Sequence, residues 1–289
     1  MPSKICAVII AKDEEERLPG CIRTLVWCDS IHVFDSGSRD RTVEVARGLG
    51  ARVVELPFRD FSSLRNAALD HLDADCEWIL FVDADERVSP KLRAQIISVC
   101  AENDPRRCAW TVSRRNYLLG RWVQHSGWHP DNVPRLFRKG KVRYGERLVH
   151  EEPIVDGNVG ALSGALLHFT CEKVSDLVRK LDLYSDLEAR ALYEGRTEPI
   201  QWGCFPSPKF LHSVCKRIYD RCPFLRPLIL FSYYYFFKLG FLDGYRGFLI
   251  AAVYGFSDAV LSNAKAWELE LQTNRARTAE AAVGEQVCA

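Results

Sequence analysis

Trp78-Ile79-Leu80-Phe81-Val82-Asp83-Ala84-Asp85-Glu86 opens as an unbroken apolar run and closes on three carboxylates. Five consecutive apolar residues are of strand length and too apolar to be half exposed, so the run reads as a strand buried on both faces. Its carboxylates then stand on the rim where the strand stops. The same pattern recurs upstream. Ile5-Cys6-Ala7-Val8-Ile9-Ile10 leads into Lys12-Asp13-Glu14-Glu15-Glu16, and Ile31-His32-Val33-Phe34 leads into Asp35-Ser36-Gly37-Ser38-Arg39-Asp40. Ala51-Arg52-Val53-Val54 is a further short run. Between these runs, residues 16–27, 40–48 and 62–72 carry apolar positions at helical spacing, as at Leu64, Ala67, Ala68 and His71, and Gly48 and Gly50 mark a return to strand. Strand and helix in alternation predict βαβ units and an α/β fold with a mostly parallel sheet.

In open α/β sheets ligands bind beyond the carboxyl ends of the strands, so the three acidic loops are expected to meet at one crevice. Carboxylates crowded together repel unless a cation or a donor-rich ligand sits among them. This points to a divalent metal with a nucleotide. A second Asp-x-Asp, Asp73-Ala74-Asp75, precedes the strand beside a helix end and reads as a solvated turn. Asp83-Ala84-Asp85 follows the strand, and hard oxygens so placed suit Mg2+ or Mn2+ shared with phosphate. Loop capping is the alternative role for that pair.

Residues 107–170 are less periodic, with turn signals at Gly120, Gly127, Pro130, Gly140 and Gly157, and are expected to form short strands and long loops. Residues 173–194 return to helical period, with Gly195 as the stop. The expected organisation is a nucleotide-binding domain over 1–170, a helical region over 171–271 and a flexible tail over 272–289. Residues 224–261 are dense in Phe, Tyr and Leu, and Lys209, Lys216, Arg217, Arg221 and Arg226 precede the aromatic run. The uncharged stretch 227–237 is too short to span a bilayer. A basic, aromatic-rich segment suits a membrane interface; a packed helical subdomain or a homo-oligomer contact are the other readings.

Lys plus Arg number 39 against 38 Asp plus Glu, which excludes whole-chain, charge-driven binding to nucleic acid. The 11 cysteines form no Cys-x-x-Cys pair, so they read as reduced thiols of a cytoplasmic or cytosol-facing protein. No basic segment followed by an apolar one opens the chain, and a cleaved signal peptide is not expected.

Four ordered pieces carry a resemblance: Val8-Ile9-Ile10-Ala11-Lys12-Asp13-Glu14-Glu15, Phe34-Asp35-Ser36-Gly37-Ser38-Arg39-Asp40-Arg41-Thr42, Arg65-Asn66-Ala67-Ala68-Leu69 and Ile79 through Glu86. Together they resemble a family 2 glycosyltransferase of GT-A fold. Arg135-Leu136-Phe137-Arg138, Gly140 and Val149-His150-Glu151 resemble the branch with bacterial lipopolysaccharide core glucosyltransferases. The likeness covers residues 4–170 closely and the remainder loosely. It implies that Ala11, Asp13, Glu15 and Asp35 line the nucleoside pocket, with Asp35 accepting from the base. It implies Arg65 on the diphosphate, Asp83 on ribose or metal, and Asp85 on the metal. Many relatives carry Asn where Asp13 stands, a charge that Lys12 is placed to balance. His168 ends a strand-like run and is either a metal ligand, as in related folds, or a satisfied core histidine.

Breaking an anomeric C–O bond builds charge on the departing diphosphate, and an acceptor hydroxyl needs a carboxylate to take its proton. The resemblance places that base at Glu151, with Glu152 adjacent and His150 as a group that can orient it. Trp122, Trp128, His129, Asp131, Arg135 and Arg138 offer aromatic faces and cations to a sugar or phosphorylated acceptor, or else pack a loop over the sheet. The implied enzyme is an inverting, metal-dependent hexosyltransferase. It would move glucose by preference from a UDP-sugar to a glycolipid or polysaccharide precursor at the cytosolic membrane face. A nucleotidyltransferase shares the acidic rim but carries a Gly-rich basic loop after its first strand, where this chain has Asp13-Glu14-Glu15-Glu16. A non-catalytic nucleotide-sugar binder would be expected to have lost one of Asp83, Asp85 or Glu151.

Overall fold

The computed structural model describes residues 3–145, 153–194 and 225–287. The chain forms two compact units, Met1–Trp122 with His129–Thr170, and Val123–Trp128 with Cys171–Ala289.

In the first unit the predicted alternation is present. Strands β1 (Ile5–Ala11), β2 (Ser30–Asp35), β3 (Arg52–Glu55) and β4 (Trp78–Phe81) are separated by helices α1 (Leu18–Arg23), α2 (Thr42–Gly48) and α3 (Phe61–His71). β1 pairs in parallel with both β2 and β4, and β2 with β3. The loops after β1, β2 and β4 therefore emerge at one end of the sheet, and the strand order reverses between β1 and β4, where open sheets bind ligands. Helix α1 is shorter than the 16–27 periodicity predicts. The Thr24 hydroxyl donates back to the Cys21 carbonyl at 2.8 Å, and turns carry the chain to Cys28.

Beyond β5 (Glu86–Val88) and α4 (Pro90–Glu102), strands β6 (Arg107–Leu118), β7 (Arg121–Trp122), β8 (Asn132–Arg138) and β11 (Asn158–Cys171) extend the sheet, while β9 (Val142–Tyr144) and β10 (Pro153–Val155) form a separate pair. The order is β3-β2-β1-β4-β8-β6-β11-β5, with β7 beside β6. The expectation of short strands over 107–170 is corrected here: β6 has 12 residues and β11 has 14. The turn signals at Gly120, Gly140 and Gly157 mark the ends of these strands and not breaks within them, and the interior glycines of β11 serve packing. A Cβ at Gly164 would lie 2.4 Å from the Leu92 Cα.

The sheet is buried on both faces. Ile5, Ala7, Ile9, Trp78, Leu80 and Val82 pack one way with Leu18, Ile22, Leu92 and Ile96; Cys6, Val8, Ile79 and Phe81 pack the other way with Phe34, Leu69, Phe137 and Tyr144. Each large side chain so buried contributes about 1.5–3 kcal/mol. Cys6, Cys21, Cys28, Cys76, Cys100, Cys108 and Cys171 are free thiols.

The second unit is helical: α5 (Val174–Tyr193), α6 (Leu225–Ser232), a π-helical segment Tyr233–Phe237, α7 (Tyr245–Ile250), a second π segment Ala251–Ser257, and α8 (Asp258–Val287). Helix α5 packs along α8. Gly195, the expected stop of α5, lies outside the described residues, as do Lys209, Lys216, Arg217 and Arg221. Arg226 does not face solvent; it is paired with the buried Glu188 of α5. Ser262 donates to the other Glu188 oxygen at 2.9 Å. Burial, then the neighbouring charge of Glu188, pushes the Asp258 carboxyl up to about 9. A folded-state value above the unfolded one means that stability is lost as pH rises between 3.8 and about 9. Asp258→Asn is expected to flatten that loss, giving a higher melting temperature than the parent in alkaline buffer and a smaller difference in acid. Melting curves across that range check it.

Candidate active site

The rim of β4 is built around Arg135. Val82 donates to the Val8 carbonyl at 3.0 Å, which keeps the chain on the sheet until Asp83. The turn Asp83–Glu86 is then closed twice: the Asp83 N–H donates to Glu86 Oε2 at 2.9 Å, and the Glu86 N–H to the Asp83 carbonyl at 2.9 Å. Glu86 is wholly buried. Arg135, from β8, donates to the Asp83 carboxylate and to Glu86 Oε1. Arg114 lies 3.5 Å from Glu86, and Arg65 lies 3.6 Å from Asp83. Burial raises Asp83, but Arg135, Arg65 and Arg114 outweigh it and hold the group well below the usual carboxylate range. Burial and the Asp83 charge carry Glu86 the other way, upward. The Asp83 side chain remains one-third exposed (33%), so it still reaches the crevice.

Arg65 sits in this site and not on an outer helix surface. Its guanidinium lies over Phe81 (5.6 Å) and Tyr144 (5.4 Å), and its side chain is 14% exposed. Asn66 fixes α3 to β9 by donating to the Tyr144 carbonyl and accepting from its N–H, both at 2.9 Å. The Arg-Asn pair thus divides its work: Asn66 anchors the helix and Arg65 enters the site.

Asp85 meets His168. The β5–β11 register sets His168 opposite Glu86, and the Phe169 N–H donates to the Asp85 carbonyl at 2.9 Å. His168 Nε2 then stands 3.3 Å from Asp85 Oδ2. The other ring nitrogen lies 2.6 Å from Asn116 Oδ1, and Asn116 donates to Asp131 Oδ2 at 2.9 Å. Among the described residues no group of three or more His, Cys, Asp or Glu side chains is placed to hold a metal. Asp85 and His168 supply an oxygen and a nitrogen donor. Such a pair fits an ion whose remaining positions go to water and phosphate.

The loops after β1 and β2 are stitched to each other. Asp13 and Glu15 offer their N–H groups to Ser38 Oγ (2.8 Å) and Asp40 Oδ2 (3.1 Å), and their carboxylates accept from the N–H groups of Arg39 (2.6 Å) and Arg41 (2.9 Å). Ser36 donates to the Ala11 carbonyl at 3.0 Å. The buried Asp35 carboxylate accepts from Gly37 N (3.0 Å), Ser38 N (2.9 Å) and the Ser38 hydroxyl. Much of the expected carboxylate repulsion is therefore relieved by backbone donors within the two loops. Lys12 lies over the Phe58 ring at 5.9 Å, and the Asp13 carboxylate is met by the Arg39 N–H. Asp73 and Asp75 form surface ion pairs with Arg52 and Lys4.

Arg135 and Arg138, read from sequence as cations for an acceptor, both turn inward. Arg138 lies over the Trp78 ring at 4.6 Å and donates to the Asp104 carbonyl at 3.2 Å. Arg114 and Asn116 were not singled out from sequence, and Glu86 was read only as a further rim carboxylate; the alternation Arg114, Asn116 along one face of β6 was the available signal. His150, Glu151 and Glu152 lie outside the described residues.

Residues 6–154 match the profile of Glycosyl transferase family 2. The lipopolysaccharide core biosynthesis glycosyltransferase LpsC of Rhizobium meliloti is 34% identical over 207 residues, 68% of this chain and 74% of that protein. An uncharacterized glycosyltransferase of Rickettsia bellii is 28% identical over 96% of this chain and 90% of its own. A solved glucosyl-3-phosphoglycerate synthase from Mycobacterium tuberculosis, in complex with Mn2+, UDP and glucosyl-3-phosphoglycerate, overlaps less. Its identity is 24%, over 39% of this chain and 44% of that one, with a TM-score of 0.34.

Removing one partner of a buried charge cluster leaves the others uncompensated, at about 3–5 kcal/mol. Arg135→Met is expected to lower the unfolding free energy by that amount, and adding Glu86→Leu to recover part of it. Urea titration of both variants measures this.

Proposed function

The chain belongs to glycosyl transferase family 2, with a GT-A type sheet flanked by helices and a helical C-terminal region, and from that premise we propose a specific reaction. It is a glycosyltransferase related to a lipopolysaccharide core enzyme. The proposed reaction moves a hexose, glucose by preference, from a UDP-sugar to a lipopolysaccharide core or other envelope glycan acceptor, with inversion. The observation that carries it is the pairing of Asp85 with His168 on the rim of β4, beside Arg65.

In this reading the first unit is the catalytic domain. Ala11, Asp13, Glu15 and Asp35 shape the nucleoside pocket. A carboxylate has about four acceptor sites, and Asp35 uses three within its turn, leaving capacity for a base N–H. Asp85 and His168 would hold Mg2+ or Mn2+, which when bound neutralises charge on the diphosphate. Arg65 lies at ion-pair distance from Asp83 and is a cation of the rim that a diphosphate would recruit; Asp83 is then available to ribose or to the metal. The acceptor oxygen forms its bond to the anomeric carbon as the bond to the diphosphate oxygen breaks, the electron pair leaving on the diphosphate. Glu151 takes the hydroxyl proton. Attack from the face opposite the leaving group inverts the centre.

The expected test is a pair of variants. Asp85→Ala abolishes Mn2+-dependent UDP-sugar binding by calorimetry with the fold intact, and Glu151→Gln keeps binding and loses transfer. Full transfer by Glu151→Gln removes it as the base.

The second unit supports docking on a cytosolic membrane surface. Phe236, Phe237, Leu242 and Tyr245 are 56%, 79%, 57% and 72% exposed. The acid among them is withdrawn: Asp243 accepts from the N–H groups of Gln124 (3.1 Å) and His125 (2.7 Å). That leaves apolar groups with Lys238 and Arg246 nearby in the chain, a composition suited to an anionic interface. By length and composition Tyr245–Arg275 is also apolar enough to cross a membrane, with 39% of its most apolar window buried. Sedimentation with phosphatidylglycerol vesicles is expected to carry the protein down and to fail for Phe237→Ser/Tyr245→Ser. Equal sedimentation of both proteins removes this assignment.

A further inference from the structure

The two acceptors that face each other at Asp85 and His168 are held in that relation by a chain of hydrogen bonds reaching into the sheet. Asp131, fully buried just before β8, accepts from Arg114 Nε at 2.7 Å and from Asn116 Nδ2 at 2.9 Å, both on its Oδ2. The Arg114 N–H also donates to the Asp131 carbonyl at 2.7 Å, so backbone and side chain are fixed together. An amide has one donor end and one acceptor end. With its NH2 on Asp131, Asn116 must present its carbonyl oxygen to His168, 2.6 Å from Nδ1. A carbonyl oxygen only accepts, so Nδ1 carries the hydrogen. In a neutral imidazole the other nitrogen is then bare. That nitrogen points at Asp85 Oδ2, 3.3 Å away.

Two lone pairs at that distance repel, and either a proton or a metal ion between them relieves the contact; the neutral imidazole leaves that place to the metal. In the opposite tautomer His168 would donate to Asp85 directly, and the pair would be closed to a metal. Ligating histidines commonly donate their second ring nitrogen to a neighbouring oxygen, which fixes tautomer and ring orientation. Here that oxygen belongs to an amide whose own direction is set by a buried carboxylate and an arginine.

We infer that Asn116, oriented by Asp131 and Arg114, is a positioning residue that fixes the His168 tautomer and so makes Asp85 and His168 a preformed two-ligand seat for a divalent cation. The inference rests on the proposed metal role of that pair. It adds that the selection is made in the ligand-free chain, by β6 and the loop before β8, before any donor arrives.

Two measurements on the full chain test it without turnover. Long-range proton–nitrogen correlation of the 15N-labelled protein in mildly alkaline buffer, with His168 assigned from the spectrum of His168→Ala, reads the tautomer directly. Electron paramagnetic resonance of free Mn2+ gives the affinity for the ion alone. The expected result is a bare Nε2 in the parent, a mixed tautomer in Asn116→Ala, and an Mn2+ affinity roughly 10–100-fold weaker in that variant. A hydrogen on Nε2 in the parent overturns the inference, as does an Asn116→Ala variant with unchanged spectrum and affinity. If the parent binds no Mn2+, or His168→Ala binds it equally well, the metal reading itself falls and takes the inference with it. If Asn116→Ala does not fold, Asp131→Asn, which keeps the volume and loosens the amide, is read by the same two measurements.

Discussion

Arg135 bridging Asp83 and Glu86 is the interaction on which the rim depends. A strand that runs out into three carboxylates cannot bury them beside a neighbouring strand without a cation at that point. The guanidinium comes from β8, which is antiparallel to β4, so it is delivered by the half of the sheet that the βαβ units do not build. With Glu86 neutralised and wholly buried, β5 can leave the rim and pair with β11. That pairing is what brings His168 to Asp85. The ion cluster, the chain reversal and the candidate metal pair are therefore one construction.

This division explains what could be read from sequence and what could not. The apolar runs before Asp13, Asp35 and Asp83 announce parallel strands locally, because burial on both faces leaves no polar position to interrupt them. Asp85 was legible as a rim residue for the same reason. Its partner was only an option, since His168 reaches it through the antiparallel register of β11 with β5, which no local pattern in either strand records. The direction of Asp13 and Glu15 was illegible for another reason. Their partners are backbone N–H groups of the facing loop, which no side-chain pattern records. Arg135 and Arg138 looked like acceptor cations because a basic residue in an aromatic, glycine-rich stretch reads as exposed; tertiary charge and ring stacking turn both inward.

The stitched loops also refine the electrostatic case for a metal. Acidic residues gathered at one sheet end invite the inference that a cation must neutralise them all. Most are already answered by backbone donors or arginines within the protein. The feature of the rim with the donor types of a metal seat is more specific: a carboxylate, Asp85, facing an imidazole whose second nitrogen is engaged. A site of two protein donors leaves most of the coordination shell to the ligand, as suits a hard divalent ion shared with phosphate oxygens. Under the proposed function such a site would bind metal and nucleotide together, each completing the other's shell.

The most direct measurement is thermal stability with UDP-glucose, GDP-sugars and CMP-sugars, each with Mn2+ and with a chelator. A ligand at a hundred times its dissociation constant adds about 2.7 kcal/mol to the folded state, enough for a clear rise in melting temperature. A rise with UDP-glucose that disappears with the chelator, and disappears again in Asp85→Ala, is the expected result. A rise that survives both the chelator and the loss of Asp85 would contradict a metal-bridged donor site on the rim of β4.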